Sequence, residues 1–166
     1  MSADVGTSAS IDAEWTFLGV RIRQLTAPGA PIVVAEAHLP AGASPPLHVH
    51  ADLDDSFYVI EGTMVVRCGE EVSIANTGDF VPFPSGVPHT FRVIDRPARV
   101  LTVHTNDSFM RAVRAIGTQA RGSEPLATHA GPAPDRLAQM LAEHGICVVG
   151  AAMEEDEGRK WVRWLG

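Results

Sequence analysis

Short apolar runs separated by turn residues constrain the fold of this chain more than any other feature. Between residues 15 and 105, runs such as F-Y-V-I, T-M-V-V-R-C and H-T-F-R-V-I end at or close to Gly or Pro. After residue 60 these breaks recur about every eight to ten residues, which is the spacing of an all-β sandwich or barrel. No segment of helical length interrupts the runs, so a parallel sheet built from strand–helix units is not expected.

The pattern becomes helical after residue 107. The segment D-S-F-M-R-A-V-R-A-I-G predicts a short helix, with Asp107 as its N-cap and Gly117 at its end. Residues 117–133 are rich in Gly, Pro, Ser and Thr and are interpreted as a surface linker. A second short helix is predicted to begin at Pro134 and to end at Gly145.

These patterns predict three parts of the chain. Residues 1–14 are interpreted as a flexible N-terminal tail, residues 15–107 as a β-barrel, and residues 108–166 as an extension of two short helices and a tail. The tail contains Trp161 and Trp164 among charged residues, a pattern more typical of a docking or dimer contact than of a cofactor site.

Composition excludes several classes of partner. A net charge of −7 over 166 residues is unfavourable for binding nucleic acid, which needs a basic surface. No apolar run approaches the roughly 18 residues of a membrane-spanning helix, and the N-terminus lacks the basic region of a signal peptide. We therefore expect a cytoplasmic protein that binds neither nucleic acid nor membrane.

Two histidines in the segment P-P-L-H-V-H form the first candidate metal-binding feature. His48 and His50 are two residues apart, so in a strand their side chains share one face, with Cα atoms about 6.6 Å apart. Two imidazoles at that spacing can converge on one ion. An isolated pair of this kind is a weak signal, because histidines are also common at turns and on surfaces.

A carboxylate and a third imidazole complete the candidate site. Asp55 begins the apolar strand that follows His50, and His89 opens a later strand after a turn at Pro84–Gly86. Three imidazoles and a carboxylate suit one divalent transition ion, with positions left open for a substrate or dioxygen. The predicted metal ligands are His48, His50, Asp55 and His89.

The segment from Gly42 to Gly62, which contains His48, His50 and Asp55, resembles the first signature motif of the cupin family of small β-barrels. That motif runs Gly, five residues, His-x-His, four residues, Glu, six residues, Gly. Gly42, His48, His50, Asp55 and Gly62 occupy these positions, with aspartate in place of glutamate.

The second cupin motif is also present. It runs Gly, five residues, Pro-x-Gly, two residues, His, three residues, Asn, and is matched by Gly78, Pro84, Gly86 and His89, with Val93 in place of Asn. The resemblance covers roughly residues 15–107 and is strongest to single-domain bacterial cupins of the quercetin dioxygenase-like group. It implies an all-β, double-stranded β-helix or jelly-roll barrel with a mostly helical C-terminal extension.

The resemblance also implies a role for Asp55. One methylene shorter than glutamate, Asp55 either ligates the metal directly or lies further back, where it holds a water or acts as a catalytic base. The metal is one divalent ion of Fe, Mn, Ni, Co, Cu or Zn, which the ligands do not distinguish.

The remaining apolar residues of the strands indicate the kind of substrate. An aromatic or hydrophobic small molecule suits a barrel wall of this composition, although each wall residue could equally serve only as core packing. The predicted wall consists of Phe57, Met64, Phe83, Phe91 and Leu101.

Three functions are compatible with these features. The first is a mononuclear metal dioxygenase for an aromatic or enolic metabolite. The second is an isomerase or cyclase in which the metal serves only as a Lewis acid, and the third is a non-catalytic binding protein for a small molecule. Because the edges of an open barrel need covering, a homodimer is expected, and the segment near Trp15 is a candidate for crossing to the partner.

Overall fold

Two antiparallel sheets form the framework of the computed structural model, which describes residues 13–120 and 133–165. Residues 1–12, most of the predicted flexible tail, lie outside the described residues, as do residues 121–132 of the predicted linker. The strands are β1 (Glu14–Phe17), β2 (Val20–Gln24), β3 (Val33–Leu39), β4 (Pro46–His50), β5 (Asp55–Glu61), β6 (Thr63–Cys68), β7 (Glu71–Asn76), β8 (Phe80–Phe83), β9 (His89–Val93), β10 (Ala98–His104), β11 (Thr118–Gln119) and β12 (Ile146–Ala152).

The strand order is that of a jelly roll. One sheet has seven strands in the order β11-β1-β2-β3-β10-β5-β8, and the other has five in the order β12-β4-β9-β6-β7. Both sheets contribute buried apolar side chains to a single core. The all-β fold predicted from the turn spacing is therefore confirmed.

Alternation of buried and exposed residues explains how each strand orients its side chains. In β5, Asp55, Phe57 and Val59 are buried, whereas the intervening Tyr58 is exposed. This period of two is the one expected for a strand with one face against a core. Asp55 and Phe57 therefore share the buried face of β5.

The first predicted helix is present as α1 (Ser108–Ile116), with Asp107 at its N-cap and Gly117 at its C-cap. The Asp107 side chain makes no capping hydrogen bond and instead pairs with Arg114 at 2.9 Å. The backbone N–H of Ser108 donates to Oδ1 of Asn106. Asn106 therefore performs the capping expected of Asp107.

Two further helices belong to the C-terminal extension. The second predicted helix is α2 (Pro134–Ala142). The predicted tail is corrected, because residues Glu155–Leu165 form a third helix, α3, which packs against β6 and β7. Its N-terminal turn is acidic, as favoured by the helix dipole. Gly158 lies in the middle of this segment, where glycine disfavours a helix, so the sequence did not predict one. A Cβ at Gly158 would lie 3.0 Å from the Cδ of Arg92, so glycine permits the helix to approach the sheet closely.

The N-terminal strand β1 pairs with two strands of its own chain, β2 and β11. Trp15 of β1 lies opposite Ile22 of β2 on one side and Gln119 of β11 on the other. None of the helices in residues 13–120 and 133–165 combines the length and apolar character needed to cross a membrane.

Gly62 provides a test of the tight connection between β5 and β6. Its φ is +97°, and a Cβ there would lie 2.7 Å from the Cβ of Ala98. We expect Gly62→Ala to reduce the free energy of unfolding by roughly 2–5 kcal/mol, since left-handed backbone strain and overpacking both contribute. Urea unfolding measures the change.

Gly78→Ala is the matched control. Gly78 has nearly the same φ, +96°, but a Cβ there would have no neighbour within 4 Å. Its cost should therefore be limited to the backbone strain of about 1–2 kcal/mol. Equal losses in the two variants would contradict the close approach to Ala98.

Candidate metal centre and cavity

Three histidines converge between two neighbouring strands of the five-stranded sheet. β4 carries His48 and His50, β9 begins with His89, and His48 lies directly opposite His89 in the register. One ligand atom from each ring lies within 4.8 Å of the others. The ring centroids are 4.4 to 5.3 Å apart. The structure thus brings together the three imidazoles that the sequence predicts as metal ligands.

Hydrogen bonds to the backbone orient two of the rings. Nδ1 of His48 lies 2.8 Å from the carbonyl oxygen of Pro46, and Nδ1 of His89 lies 2.9 Å from that of Val87. Because a carbonyl oxygen only accepts, each Nδ1 carries the proton and donates it. Each Nε2 is left with a free lone pair, as a metal ligand requires.

Unpaired polar atoms in the group fit a bound metal. Both ring nitrogens of His50 and Nε2 of His89 are buried and have no hydrogen-bond partner among the described residues. Buried polar atoms are rarely left unpaired, because their desolvation is costly. A divalent transition ion would satisfy lone pairs on all three rings, so these residues fit such an ion.

Burial keeps the three rings neutral. Desolvation lowers the pKa of His50 to about 2, with further lowering from the neighbouring histidines. Desolvation also lowers the pKa of His89 to about 4 and lowers that of His48. At neutral pH the rings therefore carry no additional proton that a metal would have to displace.

Asp55, the fourth predicted ligand, is not part of the group of three. It lies on β5 in the other sheet, directly opposite His104 of β10. Its Oδ1 is 3.3 Å from Nδ1 of His104, although the two atoms do not meet the geometry of a hydrogen bond. Burial raises the pKa of Asp55 to about 8, against a smaller lowering by a backbone hydrogen bond at Ser56. Asp55 is thus a buried carboxyl group whose nearest ionisable partner is a histidine.

His104 is a site residue that the sequence did not identify. It is fully buried, and its Nε2 lies 2.9 Å from Oγ1 of Thr102. Its ring stacks on Phe109 at a centroid distance of 4.7 Å and an angle of 18°. Desolvation lowers its pKa to about 3. The charge of Arg99 was the available signal: a charged residue facing outward in β10 places alternate positions, including His104, inward.

A cavity of about 300 Å³ contains both groups. Its polar lining includes the three candidate ligands together with Asp55, Thr102 and His104. No lysine or arginine is among the described residues that line it, and Asp55 is the only carboxylate. The rest of the lining is mostly apolar: Phe17, Leu18, Val20, Ile22, Ala37, Leu39, Pro40, Ala43, Pro45, Pro46, Phe57, Phe91, Phe109, Leu137, Leu141, Ile146 and Val148.

The structure corrects part of the predicted wall. Phe57 and Phe91 line the cavity, but Met64, Phe83 and Leu101 do not. Met64 is fully buried in the core, and Phe83 lies behind the site, stacked on His89 at 4.6 Å. Leu101 faces away from the cavity, because the alternation of β10 turns it to the same side as Arg99.

Helical residues close the cavity where the sequence prediction had placed only strands. Phe109 of α1 and Leu137 and Leu141 of α2 belong to its lining. Phe109, Leu137 and Leu141 are far from the histidine strands in sequence, so no local pattern indicated that they would reach the cavity.

Three other polar residues near these strands lie on the surface. Asp52 and Asp54, in the turn between β4 and β5, are exposed. His38 is half exposed and lies 3.6 Å from Glu36, as expected for a pair on the outer face of a sheet.

Comparison with known proteins supports the fold. Residues 35–104, which include both histidine strands, match the family described as "Cupin domain". A quercetin 2,3-dioxygenase from Bacillus subtilis is 26% identical over 72 residues, which are 43% of this chain and 21% of that protein. The match thus spans about a fifth of the relative's length.

Solved structures share the fold at low sequence identity. KdgF from a Halomonas species superposes with a TM-score of 0.53 and 18% identity, over 60% of this chain and 91% of that one. An RmlC-like cupin from Shewanella frigidimarina gives a TM-score of 0.51 and 16% identity, over 62% and 90% of the two chains. At these identities the likeness concerns the fold alone.

Removal of one candidate ligand tests the metal centre. We expect His50→Ala to weaken binding of a divalent transition ion by at least about 100-fold, because two imidazoles hold such an ion far less well than three. Elemental analysis of protein purified without chelator and titration of the metal-free protein measure the effect. His38→Ala, which removes an exposed histidine, should retain the metal, and equal retention in both variants would contradict the site.

The buried carboxyl predicts an unusual pH dependence of the metal-free protein. Between pH 6.5 and 8 the folded chain keeps a proton on Asp55, whose pKa burial raises from 3.8 to about 8, whereas the unfolded chain has released it. Stability falls with rising pH when the folded state binds more protons. In this window Asp55 alone should therefore lower the free energy of unfolding by up to about 1.4 kcal/mol per pH unit, measured as the difference between the wild-type chain and Asp55→Asn.

Urea unfolding of Asp55→Asn provides the comparison. The variant should lack this decline, and an identical decline in both proteins would contradict a buried neutral Asp55. The buried histidines act in the opposite direction in both proteins, because the unfolded chain takes up protons that these residues, with their lowered pKa values, do not. Below about pH 7 their effect outweighs that of Asp55, and the stability of the wild-type chain rises with pH.

Proposed function

Because this chain is a member of the cupin superfamily, we propose that it is a metal-dependent enzyme that oxidises a small, uncharged aromatic or enolic metabolite with dioxygen. The observation that carries the proposal is the set of three neutral imidazoles that borders an apolar cavity. A metal site joined to an apolar chamber suits a substrate that binds by its hydrophobic body and reacts at one oxygen.

His48, His50 and His89 would hold the metal through their unprotonated nitrogens. When bound there, a divalent ion of Fe, Mn, Ni, Co, Cu or Zn would act as a Lewis acid toward a substrate oxygen, and a redox-active member of this group would also support dioxygen chemistry. Desolvation of the surrounding side chains strengthens electrostatic interactions within the cavity.

The cavity lining supports an uncharged substrate. Phosphorylated and polyanionic compounds are usually bound through arginine or lysine, and the described lining residues include neither. The rings of Phe57, Phe91 and Phe109 instead offer apolar contact to a planar molecule. The carboxyl of Asp55 disfavours an anionic substrate further once it is ionised.

Asp55 is the candidate catalytic base in this proposal. It lines the cavity, and its raised pKa of about 8 lies close to physiological pH. General bases act most effectively when their pKa is near the working pH. In its ionised form, Asp55 would accept the proton of a phenolic or enolic hydroxyl, leaving an oxyanion in the cavity.

An isomerase or cyclase that consumes no dioxygen is the second candidate. The specific observation in its favour is the buried pair of Asp55 and His104, which places two proton-carrying groups in the cavity. Such a pair could move a proton between two positions of one substrate.

A homodimer in the cytoplasm remains a proposal about the assembled protein. Tyr58 and Phe80 lie opposite each other on β5 and on β8 at the sheet edge, and both are exposed. Trp164 of α3 is 78% exposed. Apolar side chains at these positions support a contact with a second copy.

Incubation of metal-loaded protein with flavonols and catechols, in air and under anaerobic conditions, tests the proposal. We expect dioxygen consumption and a product that has gained two oxygen atoms, formed only in air. Asp55→Asn should lower kcat by roughly 10²–10⁴-fold through loss of the base, whereas Asp52→Asn, in the exposed turn, should not. The same products with and without air would contradict an oxygenase, and a product with the mass of its substrate would favour the isomerase.

A further inference from the structure

Asp55 and His104 form a close, buried polar contact in the cavity outside the three-histidine group. Both residues are buried, at 5% and 0% exposure, and the register places them directly opposite each other on β5 and β10. We propose that His104 is a positioning residue that holds the Asp55 carboxyl apart from the metal site, as a group that exchanges a proton with the ligand. The proposal rests on the proposed function, since it assigns how the base of that site is held.

The hydrogen bonds of His104 determine which of its two ring nitrogens carries the proton. Oγ1 of Thr102 lies 3.4 Å from the carbonyl oxygen of Ala35 and donates its single proton there. That hydroxyl can therefore only accept from Nε2 of His104, 2.9 Å away. Nε2 carries the proton of the neutral ring, and Nδ1 is left as an acceptor.

The two atoms that face each other in this pair are then both hydrogen-bond acceptors. Nδ1 of His104 and Oδ1 of Asp55 are 3.3 Å apart, and neither has a hydrogen-bond partner among the described residues. An unprotonated nitrogen and an ionised oxygen would repel each other at this distance. A single proton between them satisfies both atoms, so the pair stores one proton at the cavity wall.

The surroundings fix His104 more firmly than Asp55. The imidazole is held by Thr102 at one edge and by the ring of Phe109 across its face. Side chains locked in this way position the groups that they contact. His104 thus sets the orientation of the shorter carboxylate, which the structure keeps outside the histidine group.

Cobalt-substituted protein tests this inference without a substrate, because the visible spectrum of Co²⁺ reports its ligands. In the wild-type chain Asp55 is not a ligand, so Asp55→Asn should leave the spectrum and the stoichiometry of bound Co²⁺ unchanged. A changed spectrum in Asp55→Asn would overturn the proposal, since it would make Asp55 a ligand.

Variants of His104 test the positioning role. His104→Leu releases Asp55, and we expect a changed Co²⁺ spectrum that reverts to the wild-type form in the double variant with Asp55→Asn. His104→Asn should preserve the wild-type spectrum, because its amide takes the place of Nδ1. His104→Gln should behave as His104→Leu, because its amide takes the place of Nε2 and reaches Thr102 only.

The outcomes separate the two proposals. A wild-type protein that binds no Co²⁺ would refute the proposed function. A protein that binds Co²⁺ with the same spectrum in His104→Gln and His104→Leu as in wild type would refute only the role of His104. If His104→Leu does not fold, the comparison of His104→Asn with His104→Gln decides the question, together with Asp55→Asn, because the two amides replace different ring nitrogens.

Discussion

The antiparallel register between β4 and β9 places His48 directly opposite His89, and the candidate site depends on this pairing. The two strands are separated by about forty residues of sequence. A shift of one residue in either strand would turn its histidines to the opposite face of the sheet. The backbone hydrogen bonds that hold this register therefore also determine whether the imidazoles meet.

Burial of these groups is the second constraint, and it has an energetic cost. Four histidines and one aspartate line a mostly apolar cavity. Desolvation lowers the pKa of each histidine and raises that of the aspartate, so that all five side chains favour their neutral forms. Carbonyl oxygens of Pro46 and Val87 and the hydroxyl of Thr102 compensate one nitrogen on each of three rings. The atoms of these groups that have no partner among the described residues are those that would face a metal or a ligand, or that face each other. Such uncompensated groups are typical of functional sites.

Local patterns in the sequence predicted much of the fold and of the metal centre. The period of two along a strand was sufficient to place His48 with His50 and Asp55 with Phe57, because alternation is a local property. In β10 the predicted position of Leu101 in the cavity wall was wrong, and His104 was not identified. The outward-facing charge of Arg99 indicates the orientation of both residues. The helix at Glu155–Leu165 was missed because Gly158 lowers helix propensity. Glycine is needed at that position because the helix approaches Arg92, a residue distant in sequence.

Pairing between distant segments explains the rest of what could not be predicted. The approach of Asp55 to His104 follows from the register of β5 with β10, and the closure of the cavity follows from the docking of α1 and α2. Neither is encoded in any short motif. The result is a divided site, with three imidazoles on one sheet and a carboxyl–imidazole pair on the other.

X-ray absorption spectroscopy of the metal-loaded protein tests the central claim most directly, because it counts the imidazole nitrogens around the ion. The account predicts a first coordination shell with three imidazoles, supplied by His48, His50 and His89. A shell with one imidazole or none, in a protein that nevertheless retains the metal, would contradict it.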